Sequence, residues 1–481
     1  MRFFATQYRR LTVDSAWTVI GSLIGVGFAS GADITWEWTG GSVSQVAASW
    51  GIAPAIACVF GFIIMMVVRL SVLDRSNPLR MGFILLPLYY GFTAAVFSMF
   101  IIVEGSHGIP SLDELGAGRV VGIVLGIFFG ISILSAIFFV PYFWRKLEKD
   151  DGRLRPWHIP LGPLLLRDNP PLYWPGDPEK ALVNYYGDDD ASMEARRNVE
   201  QDAKFKGQHQ KDIFEEDGNS GSDGNSGNKG VPADSTAAGP KLSPLAALER
   251  KYATHSQLPW YSPKRWGSKI KYLVLAPVLQ DVHAHQSKGM SSTLDRAVRF
   301  DNKVEALWTT AQVLSSALMS VAHGANDVSN AIGPFTTEYV TWRNSGVISA
   351  RQDTPIWIPA VGGIGIAIGF WTYGFRIIRS LGNKITQMSP TRGYAAEFAA
   401  AITVLLASRL GLPVSTTQCI TGGIIGVALA NWNVRCINWK QLGWIFLGWV
   451  LTLPIAGLFG GLSMLLFLNT PHFGVSQSIG V

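Results

Sequence analysis

Four apolar stretches, residues 81–102, 120–144, 356–377 and 444–468, are each long enough to cross a bilayer as a helix, which takes roughly 20 residues. Four more of similar length, residues 13–32, 47–68, 304–335 and 395–430, are punctuated by Gly, Pro, Ser and Thr. These interrupted stretches are the more informative ones, because helices that break at membrane depth expose half-helix ends able to hold ions. The pattern predicts an all-α polytopic membrane protein with about eight to ten membrane segments. Composition agrees: only 15% of the 481 residues are charged, against about 25% in ordinary soluble chains.

The charged residues that do occur divide the chain. A first membrane block covers residues 1–144, a polar insert 145–303, a second membrane block 304–470 and a short tail 471–481. Within the insert, the run Gly218-Asn219-Ser220-Gly221-Ser222-Asp223-Gly224-Asn225-Ser226-Gly227 has the composition of a flexible linker, and little order is expected there. Its apolar patches, residues 160–166 and 272–279, are too short to span and are expected to lie against the membrane surface. The loop 69–80 carries Arg69, Arg75 and Arg80 against Asp74, whereas 104–119 carries Glu104, Asp113 and Glu114 against Arg119. The positive-inside rule places the first loop, and with Arg145 and Lys146 the insert, in the cytoplasm.

The same rule accounts for the formal charge of +6, since the basic residues flank membrane segments and form no stripe for nucleic acid. Residues 1–10 hold three arginines and no acid, but no A-x-A cleavage pattern follows, so the first apolar block is expected to stay embedded. Cys58, Cys419 and Cys436 lie far apart, which suits buried apolar residues better than a disulfide framework. His283 and His285 have no partner at metal-ligand spacing. Phosphate-binding loops of the Gly-x-x-x-x-Gly-Lys-Ser/Thr kind and activated nucleophile pairs are missing, so no enzyme activity is expected.

An internal repeat is visible. The stretch from Val13 to Val26 parallels that from Val414 to Val427, and each is followed by a helix bearing Trp and Pro, Trp50 and Pro54 in the first and Trp449 and Pro454 in the second. Two related halves around a central insert is a transporter layout.

Two motifs carry chemistry. In His323-Gly324-Ala325-Asn326-Asp327-Val328-Ser329-Asn330-Ala331-Ile332-Gly333-Pro334, helical spacing gathers Asn326, Asp327 and Asn330 within one turn. A carboxylate at membrane depth costs ~2.5 kcal/mol or more and marks a substrate or ion path. Its oxygens suit a small cation and the amide NH2 groups suit phosphate oxygens; the plain alternative is a hydrated helix end. In Gly411-Leu412-Pro413-Val414-Ser415-Thr416-Thr417, Pro followed by hydroxyls opens a helix. Its free N–H groups and dipole form an anion site, the alternative being an ordinary cap. Glu397 is a further intramembrane carboxylate, suited either to the coupling cation or to a hydrogen bond between helices. Arg376, Arg379 and Lys384 read as cytoplasmic anchors.

At these residues, and at Pro390-Thr391-Arg392-Gly393-Tyr394-Ala395-Ala396-Glu397, the chain resembles the inorganic phosphate transporter (PiT) family and its fungal phosphate-repressible sodium/phosphate symporters. The resemblance implies an inverted-repeat fold with broken helices and re-entrant hairpins, in the plasma membrane, and a secondary active transporter moving inorganic phosphate with sodium or protons. It assigns phosphate to Asn326, Asp327, Asn330, Ser415, Thr416 and Thr417. Sodium falls to Asn326, Asp327 and Asn330, and cation coupling to Asp327, Asn330 and Glu397, with no cofactor beyond the sodium co-substrate and with a homodimer as the assembly. The family carries each motif twice, whereas this sequence has Asp14-Ser15-Ala16 at the first Ser-Thr position and no first Asn-Asp helix. The expectation is that upstream sequence is missing; the alternative is a transport-inactive phosphate sensor or truncated paralogue.

Overall fold

The computed structural model describes residues 14–38, 42–104, 115–176, 182, 185–186, 244–256, 259, 261–277, 279, 296–344, 354–410 and 414–470. Every regular element among them is a helix. In chain order these are α1 (Ser15–Ser30), α2 (Val43–Val68), α3 (Pro78–Glu104), α4 (Ala117–Phe143), α5 (Pro244–Ser256), α6 (Pro263–Leu275), α7 (Asn302–Arg343), α8 (Trp357–Ile385), α9 (Pro390–Arg409), α10 (Thr416–Leu429) and α11 (Trp439–Asn469). Four helical segments, Val43–Leu73, Pro78–Ile102, Ala117–Glu148 and Trp439–Asn469, are long and apolar enough to cross a membrane by length and composition. Their outward residues are the apolar ones, such as Val121, Leu125, Phe129 and Ile133 of α4, each about half exposed. A surface of that kind suits lipid.

The chain divides into two compact units. The larger comprises Met1–Tyr186, Lys288–Ala367 and Ser380–Val481, and holds the first membrane block and all of the second but Ile368–Arg379. Its repeat takes a crossed form. α1 runs parallel to α11, with Gly21 against Leu453 and Gly25 against Gly457, while α10 runs parallel to α2, with Gly422 against Pro54 and Gly426 against Cys58. The register that aligns residues 13–26 with 414–427 pairs Gly21 with Gly422 and Gly25 with Gly426. The register that aligns Trp50 with Trp449 pairs Pro54 with Leu453 and Cys58 with Gly457. Each short helix is therefore seated on the Trp-and-Pro helix of the other repeat. Backbones touch at these points: a Cβ at Gly25 would sit 1.9 Å from the Gly457 carbonyl oxygen, and one at Gly426 2.0 Å from that of Cys58. Small residues that admit such approach are what hold helices together where lipid removes the hydrophobic driving force.

α9 and α10 make a hairpin whose flanking chain segments meet, since Asn438 N–H donates to the Ile385 carbonyl at 2.8 Å, while Arg69 at the end of α2 donates to the Ala430 carbonyl at the end of α10. The tip, residues 411–413, lies outside the described residues. α9 is buried on nearly every side, which Ala395, Ala396, Ala399, Ala400 and Ala401 permit. An aromatic cluster of Trp308, Tyr394 and Tyr89, with ring centroids 4.8–6.0 Å apart, packs α9 against α7 and α3.

α7 is a single helix of 42 residues, about 63 Å long at 1.5 Å per residue. The interruptions at Gly324 and Pro334 leave it continuous, so the Asn-Asp motif sits mid-helix.

Of the insert, residues 145–176 fold against the end of α4. Arg145 donates to Asp151 at 3.0 Å and to the carbonyls of Leu165, Arg167 and Asp168, closing a short 3-10 segment, Pro156–Leu166, that holds the first apolar patch. The insert's two ends are joined by Lys303 and Asp150, 2.9 Å apart, and by Tyr186, whose hydroxyl donates to buried Glu305 at 2.7 Å. The Gly/Asn/Ser run at 218–227 and residues 283 and 285 lie outside the described residues.

The smaller unit comprises Gly187–Ser287 and Ile368–Arg379. In it α5 and α6 form a helical hairpin in which Tyr252 stacks on Tyr272 at 4.7 Å and His255 pairs with Ser268.

Candidate functional site

α1 and α10 begin at one place in the larger unit. Asp14 caps α1, accepting from the N–H groups of Ala16 at 3.0 Å and Trp17 at 3.4 Å. Ser415 caps α10 in the same manner, accepting from Gln418 N–H at 3.0 Å. Both caps follow from short polar side chains placed before a helix in extended backbone. The two caps are themselves joined, because the Ser415 hydroxyl donates to the Asp14 carboxylate. Both groups are fully buried.

α7 brings the third element. One oxygen of Asp327 accepts from Ser15 of α1 at 3.0 Å, from Thr416 of α10 at 3.1 Å and from its neighbour Asn326 at 3.2 Å. Asn326 also donates to the Val414 carbonyl at 3.0 Å. The other Asp327 oxygen is 3.3 Å from Nδ1 of His323, one turn back on α7, and that nitrogen is 2.5 Å from the Thr416 hydroxyl. Asp327 thus lies between the two helix starts.

The charge distribution is unusual for an anion site. Two carboxylates, Asp14 and Asp327, face two helix N-termini, each worth roughly half a positive charge. The N-terminus of α1 is already occupied by its own cap carboxylate. That of α10 has a neutral cap, and its first N–H groups, on Thr416 and Thr417, have no partner inside the helix by geometry.

Of the residues singled out in the sequence, Asn326, Asp327, Ser415 and Thr416 are brought together here. Thr417 and Asn330 take no part in the hydrogen bonds that join the cluster; the Asn330 amide nitrogen is buried without a partner, and Thr417 supplies its carbonyl to Thr421. Glu397 stands elsewhere. It accepts from Ser315 at 2.6 Å and Ser316 at 2.8 Å, and Ser316 is about 17 Å along α7 from Asp327 at 1.5 Å per residue. Sequence reasoning assigned no role to Asp14, Ser15 or His323. The alignment of Asp14 with Ser415, and the i,i+4 spacing of His323 from Asp327, were the available signals.

Two repeat-related half-length helices whose N-termini meet at a carboxylate carried by a long helix, in a chain with four membrane-length apolar helices, have the layout of a membrane transporter built from repeats. Residues 2–460 match the phosphate transporter family. The chain belongs to that family. It is 35% identical over 486 aligned positions to the phosphate-repressible phosphate permease of Neurospora crassa, covering 97% of this chain and 81% of that protein. It is 24% identical over 564 positions to the sodium-dependent phosphate transporter 1 of Xenopus tropicalis, covering 96% of this chain and 81% of that one. A solved sodium-dependent phosphate transporter superposes with a TM-score of 0.47 at 18% identity, covering 94% of this chain and 80% of that one.

Proposed function

We propose that this chain is a secondary active transporter of the plasma membrane that moves inorganic phosphate by symport with sodium, and that it does no chemistry on its cargo. The observation that carries the reading is the meeting of the α1 and α10 starts at Asp327. Phosphate is assigned to the α10 start, where the Thr416 and Thr417 N–H groups and the helix dipole offer donors without a fixed Lys or Arg, and where the Ser415 and Thr416 hydroxyls turn to it once sodium takes the carboxylates to which they now donate. Neutral donors of this kind hold the anion and also let it go.

The two carboxylates supply the coupling. With Asp14 and Asp327 both ionised, the site repels a phosphate anion, and in a site of reduced dielectric that repulsion amounts to several kcal/mol at contact distances. Sodium ions held by the carboxylates and by the Asn326 carbonyl oxygen cancel this repulsion. Cation binding then precedes phosphate binding for an electrostatic reason. Glu397 of α9, whose partner Ser316 is about 17 Å along α7 from Asp327, is assigned a supporting role in helix packing or in the cation's path, its two serine donors favouring the first.

Uptake of labelled phosphate into proteoliposomes tests the reading. An inward sodium gradient is expected to drive accumulation, and an inward proton gradient of equal size to drive less. Binding of phosphate with no flux under either gradient would instead show a sensor.

A further inference from the structure

The α5–α6 hairpin of the smaller unit carries a surface that phosphate transport does not use. Helix α6, Pro-Lys-Arg-Trp-Gly-Ser-Lys-Ile-Lys-Tyr-Leu-Val-Leu, has 13 residues and no acidic side chain. At about 100° per residue, Ser268 and Tyr272 fall on one side, and these are the residues that meet His255 and Tyr252 of α5. The side turned away from α5 is apolar and exposed: Trp266 50%, Ile270 60% and Leu273 62%. Val274 completes this arc of roughly 100°. Lys269 and Arg265 flank it on one edge and Lys271 and Lys264 on the other. None of α6 is buried.

From this arrangement we infer that α6 is a peripheral docking helix for an anionic lipid surface, lying in the headgroup plane with Trp266, Ile270 and Leu273 turned toward the acyl chains. A helix of this length is too short to span. An apolar arc bordered on both edges by cations is what an interfacial helix needs, since the arc enters the acyl boundary while the cations meet lipid phosphates and carboxylates. Charge decides between a membrane and an ordinary protein groove, because a helix with four cations and no acidic side chain of its own gains little from a neutral partner. The flanking membrane blocks tether the hairpin to a bilayer, so its effective concentration at the lipid surface is high and weak intrinsic affinity suffices. A soluble acidic protein is the rival occupant.

The test uses the full-length chain in nanodiscs of phosphatidylcholine alone or of phosphatidylcholine with phosphatidylserine. Ile270→Cys carries a fluorescent label on a Cys58→Ser background, since Cys58 is only partly buried while Cys419 and Cys436 are buried, and that background alone serves as the blank. In discs with phosphatidylserine, quenching by brominated lipid relative to quenching by a water-soluble agent is expected to rise by about tenfold over neutral discs, and to fall back in high salt. A second protein, with Lys264, Lys269 and Lys271 each changed to Gln, leaves the apolar arc and the α5 contacts intact and is expected to lose the rise. A label equally open to water in both kinds of disc overturns the inference. So does one shielded only when a soluble acidic protein is added.

Discussion

The hydroxyl of Ser415, which caps α10, is hydrogen-bonded to the carboxylate of Asp14, which caps α1. The two residues are repeat-related, so a serine and an aspartate fill equivalent positions on either side of one site. An Asp is a good N-cap, but its charge occupies the helix N-terminus that a neutral cap leaves available to an anion.

Replacing Asp14 by Ser tests this asymmetry while preserving a capping side chain. Phosphate affinity measured without sodium is expected to rise about tenfold, equivalent to ~1.4 kcal/mol, because an anionic competitor is removed. Sodium stimulation of phosphate binding is expected to shrink. Equilibrium binding of labelled phosphate to purified protein at graded sodium reads both, and an unchanged sodium dependence would remove Asp14 from the coupling scheme.

Asp327→Asn separates charge from geometry. The amide oxygen of Asn can still accept from Ser15, Thr416 and Asn326, which all reach a single Asp327 oxygen. The variant is expected to insert and fold normally, and to lose sodium-dependent uptake by two orders of magnitude or more, about 2.7 kcal/mol. Uptake with an intact sodium response would place the cation elsewhere.

Much of this site was legible because polar residues in an apolar background are conspicuous. Asn326 and Asp327 stand out within α7, and Ser415 and Thr416 stand out at a helix start. The repeat was legible through its glycines, since a one-sided spacing of small residues records close backbone contact. What spacing did not reveal was which helix meets those glycines: α1 is seated on α11 and α10 on α2, an exchange between halves that only tertiary packing settles. Helical arithmetic also grouped Asn330 and Thr417 with their neighbours, and neighbours on a helix need not share hydrogen-bond partners. Asp14 and Ser15 went unassigned because their role depends on partners in α10 and α7 several hundred residues away. The continuity of α7 through Gly324 and Pro334 was hidden for a related reason, since packing against α1, α9 and α11 holds a helix that local propensity alone would weaken.

Outside the membrane, Asp151 anchors the start of the insert. Hydrogen bonding to Arg153 above all, with Arg145 adding to it, lowers its carboxyl from 3.8 to about 2. A depressed carboxyl contributes stability that is present above the ordinary value near 3.8 and lost as pH falls through about 2. At neutral pH the contribution is therefore complete, and with Arg153 half exposed to solvent it amounts to about 1 kcal/mol. Asp151→Asn is expected to speed hydrogen exchange across Pro156–Leu166 several-fold at pH 7, and to leave the exchange of α9 unchanged. Equal protection in the variant would show that Arg145 holds the segment through the Leu165, Arg167 and Asp168 carbonyls alone.

The glycine contacts give the sharpest structural contrast. An added methyl at Gly25 or Gly426 would meet a carbonyl oxygen of the facing helix at 1.9 Å or 2.0 Å, and neither backbone can move aside without opening its helix pair. Overpacking of this kind costs typically 1–3 kcal/mol. Gly51 is a glycine inside α2 with nothing within 4 Å of the same methyl. There the helix propensity of alanine acts unopposed and is worth roughly 0.5–1 kcal/mol in the stabilising direction. Gly25→Ala and Gly426→Ala are thus expected to lower the thermal unfolding temperature in detergent by similar amounts, since the positions are repeat-related, while Gly51→Ala raises it. The double variant at Gly25 and Gly426 is expected to show additive losses, because the two contacts join different helix pairs and share no partner. Loss at only one of the two positions would mean that the halves do not bear on each other in the same way, and the crossed arrangement of α1 on α11 and α10 on α2 would have to be abandoned.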